Sequence, residues 1–478
     1  MRLLLLNPPS YSDFDGGAGS RYQATREVTS FWYPTWLCFP AGMVEDSLVL
    51  DAPAEGLSVM ATVERAKGFE LIVVYTSTPS LKYDLKTCEQ IKRQNPKALI
   101  GMVGPHPSVL PEPTLLASEA IDFVVRREFD YAVRDLAQGV PMERIEGLSF
   151  KRDGQVYHNP DRPPVEDLDS LPFVTRIYKR DLDIQRYQIP YLLRPYVSIY
   201  SGRGCPSRCI YCLWPQTFTG HRYRARSAGN VAEEVREAAA AFPEAREFFF
   251  DDDTFTADPA RAEEIATLIK PLGLTWSCTA RVTTPKQTLK VMHEAGLRLV
   301  VTGFETGNPE ILRNIKKGAT LEQAHSFARA CKELGIKIHG AFILGLPEES
   351  RSSIEDSIKF ACRIDPDTIQ VSLATPYPGT EFYKMAQEKG YFTDSPLVSE
   401  NGWQLCAVNY PELSNVEIFQ AVERFYKRFY YRPRFMLRAI KKMLLDREER
   451  RRMLREGKQF KNFLLKRKEV LRGKAQAC

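Results

Sequence analysis

The sequence predicts an α/β chain in two alternating units. An N-terminal doubly wound, Rossmann-like domain is followed by a partial (β/α)6 barrel and then by a basic helical C-terminal segment. Three observations carry this expectation. Short apolar runs bounded by Gly, Pro or polar residues recur through residues 1–140, with helix-period stretches between them. That is the pattern of a parallel sheet covered on both faces. From Tyr196 a strand-then-helix unit repeats six times. Beyond residue 400 the alternation stops, and bases interleave with apolar residues at roughly helical spacing. A chain of 478 residues is too long for one ordinary domain. An apolar share of 44% is ample for packed cores and excludes a globally disordered chain.

The first domain, residues 1–140, is expected to hold five strands: Leu3–Leu6, Leu48–Asp51, Leu71–Tyr75, Leu99–Val103 and Asp122–Val125. The opening leucines are too few for a secretory signal and read as a first buried strand. Helical patterns include Val59–Lys67 and Leu85–Gln94. In such a domain a ligand lies outside the carboxyl ends of the strands. Those ends carry Thr76-Ser77-Thr78, Gly104-Pro105-His106-Pro107 and Arg126-Arg127-Glu128. Taken alone, Gly104 and Pro105 form a tight turn, and His106 is either a turn histidine or a cofactor contact.

Residues 141–194 are rich in proline and charge and read as a connector. The barrel spans 195–400, with strands expected at Tyr196–Tyr200, Glu247–Phe250, Leu274–Thr279, Leu297–Gly303, Ile336–Leu344 and Thr368–Leu373. Helices fall between them, among them Ala232–Ala241, Pro259–Lys270 and Leu321–Leu334. Chemistry in such barrels sits on the loops at the strand carboxyl ends.

The loop after the first barrel strand contains Cys205, Cys209 and Cys212 in a C-x3-C-x2-C run. Three thiolates at this spacing can hold three corners of a cubane iron–sulfur cluster, whose fully protein-bound form takes four cysteines. The open fourth iron marks a reactive metal position. Structural zinc is the competing reading, with His221 the nearest candidate for a fourth ligand. Cys38, Cys88, Cys278, Cys331, Cys362 and Cys406 show no disulfide spacing and are expected to pack as small hydrophobes in a reducing cytoplasm.

The cysteine run, with Tyr211 just before its last cysteine, resembles the radical SAM superfamily. The resemblance implies a 4Fe–4S cluster whose open iron chelates S-adenosylmethionine. It also implies reductive cleavage to a 5′-deoxyadenosyl radical, and an electron donor such as flavodoxin or ferredoxin. Cofactor-binding positions carried over are Tyr211, Asp252 and Asp253 in Asp251-Asp-Asp-Thr-Phe255, Arg281 after the third strand, Glu305 in Gly303-Phe-Glu-Thr-Gly307, and Gly345 in Gly340-Ala-Phe-Ile-Leu-Gly345. One carboxylate of the Asp pair would accept from the cofactor ammonium. Arg281 would meet its carboxylate, Glu305 its ribose, and the backbone at Gly345 its adenine.

The first domain looks like the cobalamin-binding domain fused to many such enzymes. That likeness implies cobalamin contacts at Thr76, Ser77, Gly104, His106 and Glu128. The D-x-H-x-x-G pattern that supplies a histidine to cobalt is absent. The stretch Cys212-Leu-Trp214-Pro-Gln216-Thr217 with Gly220-His221-Arg222, together with Asp51-Ala-Pro53-Ala-Glu55-Gly56, resembles hopanoid-biosynthesis radical SAM proteins of the HpnJ type. Contraction of a glucosaminyl hopanoid sugar to a cyclitol ether is the activity this implies, on a lipid-linked sugar substrate. A cobalamin-dependent radical SAM methyltransferase is the alternative, and an RNA-modifying or RNA-binding protein a second.

The formal net charge of +6 conceals an asymmetry. Between Arg424 and Lys474 lie twenty Lys and Arg against five Asp and Glu, so the rest of the chain is net negative. The C-terminal region, 401–478, therefore reads as a basic amphipathic helical element. It is expected either to touch the inner membrane face peripherally or to pack on the barrel. Nucleic acid is disfavoured because no RNA-binding module follows the barrel.

Overall fold

The structure is a computed structural model and describes residues 1–9, 24–445 and 447–475. The last three residues of the expected C-terminal region lie outside the described residues, as does Asp446.

Five parallel strands build the first sheet: β1 (Leu3–Asn7), β2 (Ser47–Asp51), β3 (Leu71–Tyr75), β4 (Leu99–Val103) and β5 (Phe123–Val125). Every residue of β1 and β3 is buried, because helices cover both faces. Their order, β2-β1-β3-β4-β5, is that of a common doubly wound fold. Its ligand crevice lies at the carboxyl ends, where the strand order reverses between β1 and β3.

The expected connector is in part sheet. Residues Leu148–Arg152 (β6) and Gln155–His158 (β7) form an antiparallel hairpin that extends the first sheet beyond β5. Asp153 and Gly154 turn it, with φ of 51° and 75°. An Asp-Gly pair between alternating residues is the strongest short-range hairpin signal, so the prolines downstream masked a legible element. Further on, the helix Val174–Asp181 packs against the helix Thr35–Met43 of the first domain.

The barrel strands are β8 (Tyr196–Ile199), then a short antiparallel pair β9 (Gly202–Arg203) and β10 (Arg224–Ala225), then β11 (Glu247–Phe250), β12 (Trp276–Thr279), β13 (Leu297–Glu305), β14 (Lys337–Leu344) and β15 (Thr368–Leu373). Six of them pair in parallel and in sequence order, β8-β11-β12-β13-β14-β15. This is the open (β/α)6 sheet that the repeat predicts. One continuous core runs through both domains. At the junction Tyr33 stacks on Tyr187 at 4.0 Å and on Tyr178 at 4.4 Å, and its hydroxyl donates to the Tyr196 carbonyl at 2.6 Å. Burying so much aromatic surface ties the two units into one packed body.

The C-terminal region forms helices Asn415–Tyr430, Pro433–Leu445 and Arg447–Ala475. Ser414 and Glu417 make a capping box that starts the first. Phe463 and Leu464 of the last are buried, and Arg467 lies 3.6 Å over the Phe419 ring while donating to its carbonyl. Part of the tail is thus a packing element. Leu437, Leu444, Leu445 and Leu454 stay exposed. Among the described residues no helix is long and apolar enough to cross a membrane.

Candidate functional site

The cysteine loop leaves β8 at the carboxyl end of the sheet, where barrel chemistry belongs. Cys209 is buried, while Cys205 and Cys212 are half-buried; none is in a disulfide. Gly204 precedes them at φ 87°, and a Cβ there would lie 2.3 Å from the Arg222 carbonyl oxygen, so only glycine fits. Gln216 holds the loop from inside. Its Nε2 donates to the carbonyls of Cys209, Ile210 and Cys212 at 3.2, 3.0 and 2.8 Å, and its Oε1 accepts from the Glu381 N–H. His221, the candidate zinc ligand, instead bonds the Ser207 carbonyl through Nδ1 at 2.9 Å.

Burial pushes the Cys209 and Cys212 thiols up, and neighbouring cysteines push Cys212 further. Such thiols stay protonated until a cation draws off the proton, as a bound metal does. Among the described residues no three His, Cys, Asp or Glu close on a single-ion site. A cubane asks for something else, since it spreads three thiolates over three irons. The donor set and loop fit that cluster.

Asp252 and Asp253 both bond to the strand-end segment that carries the cysteines. Asp252 is fully buried; its two oxygens accept from the Ser201 N–H and hydroxyl, both at 2.6 Å. Burial pushes its carboxyl up despite these bonds. Asp253 accepts from the Gly204 N–H at 3.2 Å and the Thr219 hydroxyl at 3.0 Å, which fastens both ends of the cysteine loop. The Gly345 N–H donates to the Glu349 side chain, and its carbonyl accepts from the Tyr410 hydroxyl at 2.7 Å.

Glu305 ends β13 at φ 65°, a strained setting for a residue with a Cβ, costing on the order of 1–3 kcal/mol. Lys317 donates to its Oε1 at 2.6 Å. Burial works against the Lys317 charge, but Glu305 outweighs it and holds the ammonium above its ordinary value. The hydroxyl of Tyr211 shares this carboxylate, and burial followed by Glu305 raises that phenol. Lys317 was not legible as a site residue; nothing in its local sequence marks it. Arg281 is half-buried, and among the described residues its guanidinium has no ion-pair partner. It remains available for a carboxylate.

In the first domain, Gly104 is left-handed at φ 118°, and a Cβ would meet the Thr76 carbonyl at 2.4 Å. That close approach packs the two strand-end loops together. His106 is 7% exposed and its Nδ1 lies 3.0 Å from the Thr78 hydroxyl, binding one loop to the other. Burial lowers its pKa to about 4, so the imidazole is neutral. Thr76 and Ser77 are fully buried and spend their hydroxyls on Asp84 and Ser80. They shape the crevice and do not present hydroxyls to it.

Glu128 is buried at the junction with the barrel. Its carboxylate is committed to Arg224 and Arg203 of the barrel and to the Val165 N–H. Burial opposes its charge, but the two guanidinium groups win and hold it below its ordinary value. Asp130 takes Arg203 bidentately at 2.7 and 2.9 Å. Arg203 also lies over the Trp36 and Phe39 rings, at 4.7 and 4.6 Å. This buried cluster bolts the first domain to the strand that leads into the cysteines.

Of the residues singled out beyond the cysteines, Trp214 is buried against Trp36 and Phe218. Arg222 pairs with Glu166 at the surface. Neither is left to hold a sugar head group. Asp51 is buried between Asn7 and Tyr187. Among the described residues Cys38, Cys88, Cys278, Cys331 and Cys406 are buried and form no disulfide, while Cys362 is half-buried.

The Radical SAM superfamily model matches residues 199–361, and the B12 binding domain model matches 24–137. An uncharacterized methyltransferase of Pyrococcus horikoshii is 32% identical over 457 residues, spanning 92% of this chain and 95% of the relative. The anaerobic magnesium-protoporphyrin IX monomethyl ester cyclase of Rubrivivax gelatinosus is 27% identical over 410 residues, 81% of this chain and 70% of the relative. Among solved structures, the cobalamin-dependent S-adenosylmethionine radical enzyme OxsB, with aqua-cobalamin and S-adenosylmethionine bound, superposes with a TM-score of 0.66. It is 15% identical, covering 98% of this chain and 70% of that one.

Proposed function

The chain belongs to the radical SAM superfamily and carries a B12-binding domain, and from that premise we propose that it is a cobalamin-dependent methyltransferase acting on a small molecule. The enzyme uses a 4Fe–4S cluster, S-adenosylmethionine and cobalamin. When bound, these supply a 5′-deoxyadenosyl radical to open a C–H bond and a methyl group to close it.

One observation supports methyl transfer above the rest: the ligand-facing ends of the two sheets meet. The helix Pro105–Val109, which follows β4, packs on the turn Pro215–Thr219, which follows the cysteines. Gly379 sits in the seam, where a Cβ would lie 2.6 Å from Val109 and 2.9 Å from Thr217. A corrin held on the first domain's strand-end loops would therefore lie on the side of that domain that packs against the turn after the cysteines, where proximity would do most of the work. The whole-length likeness to a protein named a methyltransferase points the same way. Ring contraction of a glucosaminyl hopanoid has weaker support, since Trp214, His221 and Arg222 are occupied within the fold.

Within this reading Cys205, Cys209 and Cys212 hold the cluster, and Gln216 and Asp253 set the loop that carries them. Arg281 takes the carboxylate of S-adenosylmethionine. Glu305, oriented by Lys317, accepts from its ribose. Thr78 and His106 shape the corrin crevice.

The test needs no substrate. Reconstituted anaerobically with iron, sulfide and cobalamin, the protein is given S-adenosylmethionine and a reductant. Methyl donation leaves S-adenosylhomocysteine beside 5′-deoxyadenosine, and the first product should vanish when cobalamin is omitted. Formation of 5′-deoxyadenosine alone would favour cyclisation or ring contraction instead.

A further inference from the structure

The amino ends of the barrel strands, opposite the cysteines, border two adjoining, half-open cavities of about 1000 and about 520 Å³. Both are within the size range of small-molecule sites. The C-terminal helices form one wall of both, and Arg438, Lys442, Arg452 and Glu456 line both, so they form one space with two characters.

The larger is basic. Arg194 stands before β8, Arg246 before β11, Arg298 at the start of β13, and Lys337 opens β14. Some of this charge is matched: Arg298 pairs with Glu247, Arg246 with Glu448, and Arg452 with Glu449 and Glu456. Among the described residues Lys337, Lys441, Lys442 and Arg455 make no ion pair within 4 Å, although Asp367 and Glu449 act on Lys337, Glu449 on Lys442 and Glu456 on Arg455 from farther away. Burial, then Arg298 and Lys442, push the Lys337 ammonium down; burial and Arg455 do the same to Arg194. Like charges crowded into a half-buried space are unfavourable until an anion joins them.

The smaller cavity is apolar. Tyr191 stacks on His339 at 4.0 Å, and Tyr430, Phe435 and Phe460 pack edge to face around it. Burial lowers the His339 pKa to about 3, so this imidazole is neutral and does not compete for an anion. Leu445, lining the basic cavity, is 76% exposed, and Leu444 beside it 77%.

We propose that this amino end of the barrel binds a phosphate-headed amphiphile, its head among Lys337, Lys442 and Arg455 and its chain in the aromatic chamber. The geometry separates this ligand from the radical chemistry, which lies at the other end of the strands. A free phosphate would leave the apolar chamber unused, and a nucleic acid strand would need a track of free stacking faces, whereas Tyr430, Phe435 and Phe460 pack on one another.

Titration calorimetry on the full-length, cofactor-loaded protein tests this. Dodecyl phosphate, kept monomeric, should bind, and inorganic phosphate and dodecyl maltoside should each bind at least about tenfold more weakly, for loss of chain or charge. The double variant K442E/R455E should weaken dodecyl phosphate by about tenfold or more. G457F should block it differently. Gly457 lines the apolar chamber, and a Cβ there meets nothing within 4 Å, so a side chain can be added at this position without displacing a neighbour at its root. Both variants should keep cobalamin and form 5′-deoxyadenosine at the wild-type rate, which shows that they are folded. Sedimentation with phosphatidylcholine vesicles containing phosphatidylglycerol, lost in both variants, would assign the amphiphile to a bilayer; calorimetric binding without sedimentation would assign it to a soluble ligand. The proposal falls if inorganic phosphate binds as tightly as dodecyl phosphate, if a uridine oligomer displaces it through the bases alone, or if neither variant changes the affinity.

Discussion

Arg203 stands two residues before Cys205 and grips Asp130 of the first domain through two hydrogen bonds of 2.7 and 2.9 Å, with both side chains buried. The loop that would carry the cluster is therefore anchored in the domain that would carry the corrin.

Asp130→Asn should destabilise the protein by roughly 3–5 kcal/mol, the cost of leaving a buried guanidinium without its partner. Glu128, 3.4 Å from the same guanidinium, keeps the loss toward the lower end. Denaturant titration measures it, and R203M/D130N should lose less than the sum of the single changes. A cost below about 1 kcal/mol would mean that the pair behaves as a surface ion pair.

Replacing Cys205, Cys209 or Cys212 by alanine should each abolish iron–sulfur absorbance and 5′-deoxyadenosine formation, since each supplies one thiolate. Cys278→Ala should retain both, because that thiol lies within β12, buried in the core. A full cluster in any of the first three variants would overturn the site.

Gln216→Ala removes three hydrogen bonds from the cysteine loop, each worth about 1 kcal/mol. Reconstituted cluster should then be lost to a chelator several-fold faster, a rate read by absorbance decay. Gln216→Glu, though nearly the same size, should be at least as damaging at neutral pH. It turns a donor into an acceptor facing three carbonyls.

Glu349 is buried, and burial raises its pKa to about 8 although Gly345 and Leu346 N–H groups bond it. The folded protein thus keeps a proton that the unfolded chain releases near an ordinary carboxyl value. Stability from this group is complete below that value and is lost as pH rises to about 8. Between pH 5 and pH 8 wild type should lose on the order of a few kcal/mol relative to Glu349→Gln, whose amide oxygen still accepts. Parallel melting curves of the two proteins across that range would reject the idea.

Local chemistry made much of this molecule legible. The six barrel strands and the five parallel strands of the first sheet follow from apolar runs a few residues long, because a strand buried on both faces has no other way to be written. The cysteine run declared its chemistry because ligands close in sequence need no fold to bring them together. The hairpin at Asp153 and Gly154 was written just as plainly, yet the charged, proline-rich residues around it hid the signal.

What tertiary structure decided is how polar groups are spent. Asp252, Asp253, Glu128 and Gly345 carry the residue types expected at a cofactor site, but a buried donor or acceptor must be paired. Their partners within the fold lie far off in sequence: Ser201, Gly204, Arg224 and Tyr410. Lys317, Gln216 and Arg203 gained their roles the same way, from neighbours that only the folded chain provides. A side chain's type sets what it is able to bind; which partner reaches it at 3 Å is a property of packing, and no local pattern contains it.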